Sequence, residues 1–250
     1  MKEAIKKALR VALIPFVLGD YLAYRHAASI NTAHGKPSRF TLRLTDFHPQ
    51  VKDKTVKTGF DRHYVYHTSW AARVVAETKP AKHIDISSSL YFSGLVSAFV
   101  PVEFYDYRPA DLLLSNLESK HGDLMALPFA DNNVESISCM HTIEHVGLGR
   151  YGDPMDPEGD VKACKELARV LKPGGSLLFV TPVGREAKIE WNAHRIYSYE
   201  AALALFPGLK LAEFSLIPED GVNGGLIRNA DPKLVMKESY ACGCFRFVKP

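Results

Sequence analysis

Apolar positions recur along this chain with two periods, and both are plainest between Gly122 and Val183. The polar turn Ala130–Asn133 leads into Val134–Met140, a mostly apolar run of the kind that makes a buried strand. A long loop rich in Gly, Pro and Asp follows. Val161, Cys164, Leu167, Ala168 and Leu171 then fall at helical spacing, while Lys162, Lys165, Glu166 and Arg169 take the opposite face. Asp160 is placed to cap this helix and Pro173-Gly174-Gly175 to end it. Ser176–Pro182 is a second apolar run. Strand, helix, strand in that order is a βαβ crossover, and a crossover of this kind requires a parallel sheet.

The same reading extends outward. His83-Ile84-Asp85-Ile86 and Val102–Tyr107 suit two further strands, and a short third strand fits just before Asp123. Leu209–Ile217 and Tyr240–Val248 read as the last two, separated by a Gly- and Asn-rich loop over 218–231. Thr68 or Ser69 is expected to cap a helix that turns Trp70, Val74 and Val75 inward and stops before Pro80. Ser198 caps another that runs through Leu205. Residues 2–26 read as an amphipathic helix bent near Pro15; packing is its expected role, with a membrane surface as the alternative. Residues 27–60 are polar and read as a loop or hairpin, with a short alternating run at Phe40–Leu44. The chain thus divides into an extension, 1–60, and a main α/β domain, 61–250.

Composition narrows the class. At 250 residues and 46% hydrophobic the chain can bury a substantial core. A net charge of +3 is too small for a nucleic-acid footprint. The four cysteines, Cys139, Cys164, Cys242 and Cys244, show neither metal-ligand spacing nor a disulfide framework, which fits a reducing cytoplasm. No apolar run approaches the ~20 residues that span a bilayer.

Leu171-Lys172-Pro173-Gly174-Gly175 ahead of an apolar strand, with Thr142-Ile143-Glu144-His145-Val146 behind the preceding one, resembles a class I S-adenosylmethionine-dependent methyltransferase. The run from His145 to Pro154 and the run Asn192-Ala193-His194-Arg195-Ile196-Tyr197-Ser198 are similar to an uncharacterised methyltransferase-like family. The likeness covers roughly residues 80–250. It implies a Rossmann-like, seven-stranded, mostly parallel sheet whose last strand is antiparallel. It also implies S-adenosylmethionine as cofactor, and methyl transfer to an oxygen or nitrogen of a small molecule such as a sugar or glycan precursor. The rival reading is a non-catalytic module that keeps the fold without the cofactor site.

Under this resemblance Asp85, Ser87, Ser88, Asp106, Asp123 and Leu124 are the candidate cofactor-binding residues. Asp106 ends the second strand, where a carboxylate can accept hydrogen bonds from ribose hydroxyls; its plainer role is a turn aspartate before Pro109. Asp123 and Leu124 match the segment that meets adenine. The first turn, Ser87-Ser88-Ser89, departs from the glycine-rich turn of the superfamily and is the main support for the rival reading. No G-x-G-x-x-G appears there, so a dinucleotide enzyme is not expected. His141, Glu144, His145 and His194 are the candidate catalytic residues, because they follow strands at the edge where open α/β sheets bind ligands. Imidazoles near neutrality suit general bases; hydrogen-bonded pairs shaping the loops are the plainer alternative. Glu144 and His145 also match part of a Glu-x-x-Glu-His run that binds a divalent ion in some ubiquinone-pathway O-methyltransferases. His141 in place of the first Glu weakens a magnesium reading and leaves a softer metal conceivable, so no metal ligands are assigned. His63, Tyr64 and His67 could close over the cofactor, but aromatic packing is the expectation. The loop 147–159 is long enough for an active-site cover, with its acidic residues in turns and caps.

Overall fold

The computed structural model describes residues 2–51, 53–222 and 224–250, with the side chains of residues 2–14 and of Phe16 outside the description. It forms two compact units, Met1–Gly59 and Phe60–Pro250. In the first, helix α1 (Lys2–Ala33) runs two turns past its expected end at His26. Phe40–Leu44 forms no strand; only a 3-10 turn, Leu44–Asp46, follows. Lys54 pairs with Asp20 at 2.5 Å, and the Tyr21 ring meets Phe47 edge-on at 5.4 Å. The basic side chains on which the alternative membrane-surface role rests, Lys2, Lys6, Lys7 and Arg10, lie outside the described ones. No helix among the described residues is long and apolar enough to cross a membrane.

The second unit opens with α2 (Arg62–Thr78), which starts about two turns before the expected Thr68 or Ser69. The reason is local: the Asp61 carboxylate accepts the Tyr64 amide at 3.1 Å and caps the helix early, drawing the polar aromatic run 63–67 into it. Trp70, Val74 and Val75 are buried as their spacing predicts. The Trp70 indole donates to Glu213 at 2.9 Å, which also holds Arg228 at 2.6 Å, so α2 is anchored on the sheet.

The strands follow in order: β1 (His83–Ile86), then helix α3 (Leu90–Val96), β2 (Val102–Asp106), β3 (Leu117–His121) and β4 (Val134–Met140). Helix α4 (Gly159–Val170) leads to β5 (Leu171–Val183); a hairpin of β6 (Lys188–Glu190) and β7 (His194–Ile196), helix α5 (Tyr199–Ala204), β8 (Lys210–Ile217) and β9 (Ala241–Val248) complete the chain. The main sheet has the order β3-β2-β1-β4-β5-β9-β8. β1 to β5 are mutually parallel, and β9 runs antiparallel between β5 and β8. The expected seven-stranded, mostly parallel sheet with an antiparallel last strand is the fold observed.

Both faces of the sheet are covered, so its central strands are apolar throughout. Along β5, Leu177 and Phe179 pack with Cys164 and Leu167 of α4, while Leu178 and Val180 pack with Trp70 of α2 and Phe92 of α3. Each such fully buried side chain contributes roughly 1.5–3 kcal/mol. Two local expectations fail around α4. Asp160 is not its cap; it is buried and accepts the Tyr197 hydroxyl at 2.7 Å. Pro173-Gly174-Gly175 does not end the helix, because the backbone is already extended at Leu171. The Pro-Gly-Gly run is instead an irregularity within β5, between the pairings Val134–Leu171 and Ser136–Ser176. Gly174 sits at φ +74°, and a Cβ on Gly175 would lie 2.8 Å from the Lys172 carbonyl oxygen. Leu171 therefore belongs to the strand, and the helix buries Ala163, Cys164, Leu167 and Val170.

Candidate functional site

Between β1 and β4 the strand order reverses direction, which is where open α/β sheets form a ligand crevice beyond the strands' carboxyl ends. Two adjoining cavities lie there, of about 320 and about 510 Å³, both within the usual range of about 300–1,000 Å³ for small-molecule sites. Tyr64, His141, His145 and Tyr151 border both.

The smaller cavity is built from the turns after β1, β2, β3 and β4. Leaving β1, Ser87 takes φ +52°, the left-handed conformation that favours glycine, and its amide donates to the Tyr105 carbonyl at 2.8 Å. Ser87 thus holds a backbone conformation that glycine adopts more readily. Asp106 accepts the Arg108 amide at 2.8 Å and Asp123 the Met125 amide at 2.8 Å, so each carboxylate shapes its own turn while lining the cavity. A Cβ on Gly122 would meet the Tyr105 ring at 3.0 Å, which keeps this wall thin. Ser87, Asp106, Asp123 and Leu124 line the cavity as expected from the sequence. Asp85 and Ser88 do not. Asp85 is fully buried among Ser93 and Ser138, the latter donating to it at 2.6 Å, because alternate residues of β1 point between layers rather than out of the end of the sheet. The Ser88 hydroxyl accepts the Met140 amide at 3.1 Å.

The larger cavity collects the first turn of α2, the segment after β4, the cover loop, the β6–β7 hairpin and Tyr240 ahead of β9. All four residues proposed for catalysis, His141, Glu144, His145 and His194, border it. His141 continues the pairing of β4, its amide donating to Val180 at 2.9 Å, and then turns at φ +54° into a 3-10 turn, Ile143–His145. Its Nδ1 donates to Glu144 Oε1 at 2.8 Å, and its Nε2 lies 3.4 Å from Cys242 Sγ. The rings of His63 and Tyr64 stack on it at 5.6 and 5.5 Å, and His67 meets it edge-on at 4.9 Å. His145 Nδ1 donates to the Ala193 carbonyl at 2.7 Å, which makes Nε2 the basic nitrogen. That Nε2 is 4.0 Å from Glu144. His194 lies against Tyr240 at 5.3 Å.

Burial governs the charges here. It holds the His63 and His141 imidazoles down at about 4, His67 well below its ordinary value and His145 below it, so these rings are neutral near pH 7. Burial also pushes Glu144 up to about 7. The 2.8 Å His141–Glu144 contact would favour an ion pair, but desolvation outweighs it, and the bond joins a neutral imidazole N–H to a carboxyl group.

Of the segment expected to pack beneath α2, only His67 is buried; His63 and Tyr64 border the cavities. The sequence reading missed Tyr107 and Arg108 beside the smaller cavity and Tyr240 beside the larger, together with Cys242 behind it. The signal for the last two was present: a final strand antiparallel to β5 must begin at the edge where β5 ends, and Pro182 pairs with Cys242. Loop 147–159 does supply wall residues to both cavities, and its Asp153 and Asp156 accept the Gly147 and Glu158 amides as turn residues should.

A family model described as "Caenorhabditis protein of unknown function, DUF268" matches residues 124–221. A search of curated proteins finds no match. Among solved structures, the chain is similar to the N-methyltransferase NodS from Bradyrhizobium japonicum WM9 in complex with S-adenosyl-L-homocysteine. The identity is 13% and the TM-score 0.51, over 73% of this chain and 85% of that one. It is similar to the Burkholderia thailandensis 1,6-didemethyltoxoflavin-N1-methyltransferase with bound 1,6-didemethyltoxoflavin and S-adenosylhomocysteine, at 9% identity and TM-score 0.55 over 73% and 78%. It is also similar to the [4+2]-cyclase SpnF, at 15% identity and TM-score 0.50 over 73% and 81%. Strand order, the antiparallel last strand and these likenesses agree: this chain has the class I methyltransferase fold.

Proposed function

We propose that the chain moves a methyl group from S-adenosylmethionine to an oxygen or nitrogen of a small polar acceptor. The observation that carries this reading is the pair of adjoining cavities at the switch point, one walled by strand-end carboxylates and the other by neutral imidazoles. The smaller suits the cofactor. Asp106 offers a carboxylate oxygen to ribose hydroxyls, Asp123 and Leu124 meet the adenine, and the left-handed turn at Ser87 lets backbone and hydroxyl approach the amino-acid end. That turn was the main support for a module that has lost its cofactor site, and its backbone geometry favours a working turn instead. When bound, the cofactor supplies a methyl group activated by its sulfonium.

The protein's own work is to place the acceptor and take its proton. His145 Nε2 is the proton acceptor, with its tautomer held by the Ala193 carbonyl. His141, oriented by Glu144, and His194 position the acceptor. The mixture of aromatic faces with carboxyl, guanidinium and imidazole groups suits a polyhydroxylated ring such as a sugar, which stacks its C–H face and hydrogen-bonds around its rim. The [4+2]-cyclase among similar structures shows that the fold alone does not name a reaction. Calorimetry tests the cofactor step: S-adenosylmethionine and S-adenosylhomocysteine should bind, and Asp106→Ala should weaken both by at least about tenfold, the worth of a hydrogen bond to a charged group. A folded protein that binds neither overturns the reading. With an acceptor in hand, His145→Ala should lower turnover by roughly 10²–10⁴.

A further inference from the structure

The chemistry of the larger cavity's wall is not exhausted by acid–base roles. His63 on α2, His141 after β4 and Cys242 on β9 come from three separate elements, yet one ligand atom from each lies within 4.8 Å of the others. Around a tetrahedral zinc-type ion, with bonds of ~2.3 Å to sulfur and ~2.0–2.1 Å to nitrogen, a thiolate and an imidazole nitrogen stand ~3.5 Å apart. Cys242 Sγ and His141 Nε2 are 3.4 Å apart. The second nitrogen of His141 donates to Glu144 at 2.8 Å, the carboxylate–histidine arrangement that orients a metal-ligating imidazole.

Unsatisfied groups point to the same place. Among the described residues, seven buried side-chain polar atoms lack a hydrogen-bond partner, and two of them, His67 Nε2 and Glu144 Oε2, belong to this cluster; a third, His194 Nε2, faces Glu190 at 3.6 Å. His67 is fully buried, and its ring is 4.9 Å from that of His141. Concentrated orphans of this kind mark a missing water or ion rather than finished packing. A plain thiol–imidazole hydrogen bond explains the 3.4 Å contact but neither the arrival of His63 nor the orphans.

We infer that His63, His141 and Cys242 form a site for a soft divalent transition ion of the zinc class, at the wall of the acceptor cavity. One thiolate and two imidazoles select against magnesium and calcium, which take oxygen ligands. Three protein ligands leave a fourth position, as in catalytic rather than structural sites. His63 and His141 both border the cavity, so the open position is available to an acceptor oxygen, whose acidity the ion would raise. His63, half-buried on the first turn of α2, closes on the ion by on the order of 1 Å, the gap between its present place and tetrahedral spacing.

The site concerns metal alone and is tested without cofactor, so its failure and that of the methyl-transfer reading are distinguishable. The full chain is stripped with a chelator and titrated with cobalt(II). One equivalent should bind, with a thiolate-to-cobalt charge-transfer band and the intense visible bands of a four-coordinate ion. Cys242→Ser should abolish the charge-transfer band, and His63→Gln should weaken binding by at least about tenfold, the lower limit for even an outer-shell partner. A folded wild-type chain that binds no cobalt stoichiometrically overturns the inference, as does a charge-transfer band that survives Cys242→Ser. Should the serine variant fail to fold, unchanged cobalt affinity in His63→Gln overturns it equally.

Discussion

Two buried histidine–carboxylate groups sit on neighbouring strands of this sheet, and they differ in how they are finished. Around β1, His83 Nδ1 and Nε2 meet the Ser136 and Ser138 hydroxyls at 2.8 and 2.9 Å, Ser138 donates to Asp85 at 2.6 Å, and Ser93 donates to the other Asp85 oxygen. Every nitrogen and oxygen there has a partner. At the end of β4, His141 and Glu144 hold each other, but Glu144 Oε2 and the nearby His67 Nε2 make no hydrogen bond among the described residues. The first group lies between the layers and ties β1 to β4 and α3. The second lies at the carboxyl edge beside a cavity. Buried polar groups are ordinarily satisfied, so the closed network reads as structure, and the open one is where the proposed ion would bind.

That contrast is open to direct attack, the largest effect first. His83→Ala should cost about 3–5 kcal/mol in urea unfolding, since it leaves a void and removes the partner of Ser136 and one of the two partners of Ser138, while leaving cobalt and S-adenosylhomocysteine binding unchanged. A loss under about 1 kcal/mol would remove the structural role. Asp85→Asn tests the same network through pH. Burial raises the folded carboxyl from 3.8 to about 6, so its contribution is fully present below 3.8 and is lost as pH rises through 6. The variant should therefore gain on the wild type by on the order of 3 kcal/mol between pH 4 and pH 7. His83, held down to about 3 by burial, acts in the opposite sense, which is why the difference between variant and wild type is the readout. Glu144→Gln separates the two groups through the metal: cobalt affinity should fall about 10–100-fold, whereas Asp85→Asn should leave it unchanged. Equal losses of cobalt affinity in Glu144→Gln and Asp85→Asn would dissolve the distinction. The smallest change is expected from Ser87→Gly, which relieves a left-handed serine but loosens the unfolded chain, for a net shift within about 1 kcal/mol.

The α/β class, the crossover through α4 and the strands β1, β4 and β5 are legible in the chain, because apolar periodicity reports burial and strand direction follows from short crossovers, while the antiparallel last strand comes from the family resemblance. The turn carboxylates Asp106 and Asp123 are legible too, since their positions at strand ends depend only on local register. Less legible are the features in which one local signal competes with another. Asp61 outbids Thr68 and Ser69 as the cap of α2, and Pro-Gly-Gly, a helix terminator on paper, becomes a kink inside β5 because Leu171 already pairs with Val134. Asp85 looks like a ligand and is a core residue, since which side of a strand faces a ligand is set by the layers above and below it.

What the sequence determined by itself is the sheet and the edge at which its chemistry gathers, because both follow from hydrophobic period and strand direction. Only the tertiary structure decided that His63, His141 and Cys242, spread over some 180 residues of sequence, share one point in space. It likewise decided which of two similar histidine–carboxylate groups is left open, because burial and partner count depend on atoms brought in from distant segments and leave no periodic trace along the chain.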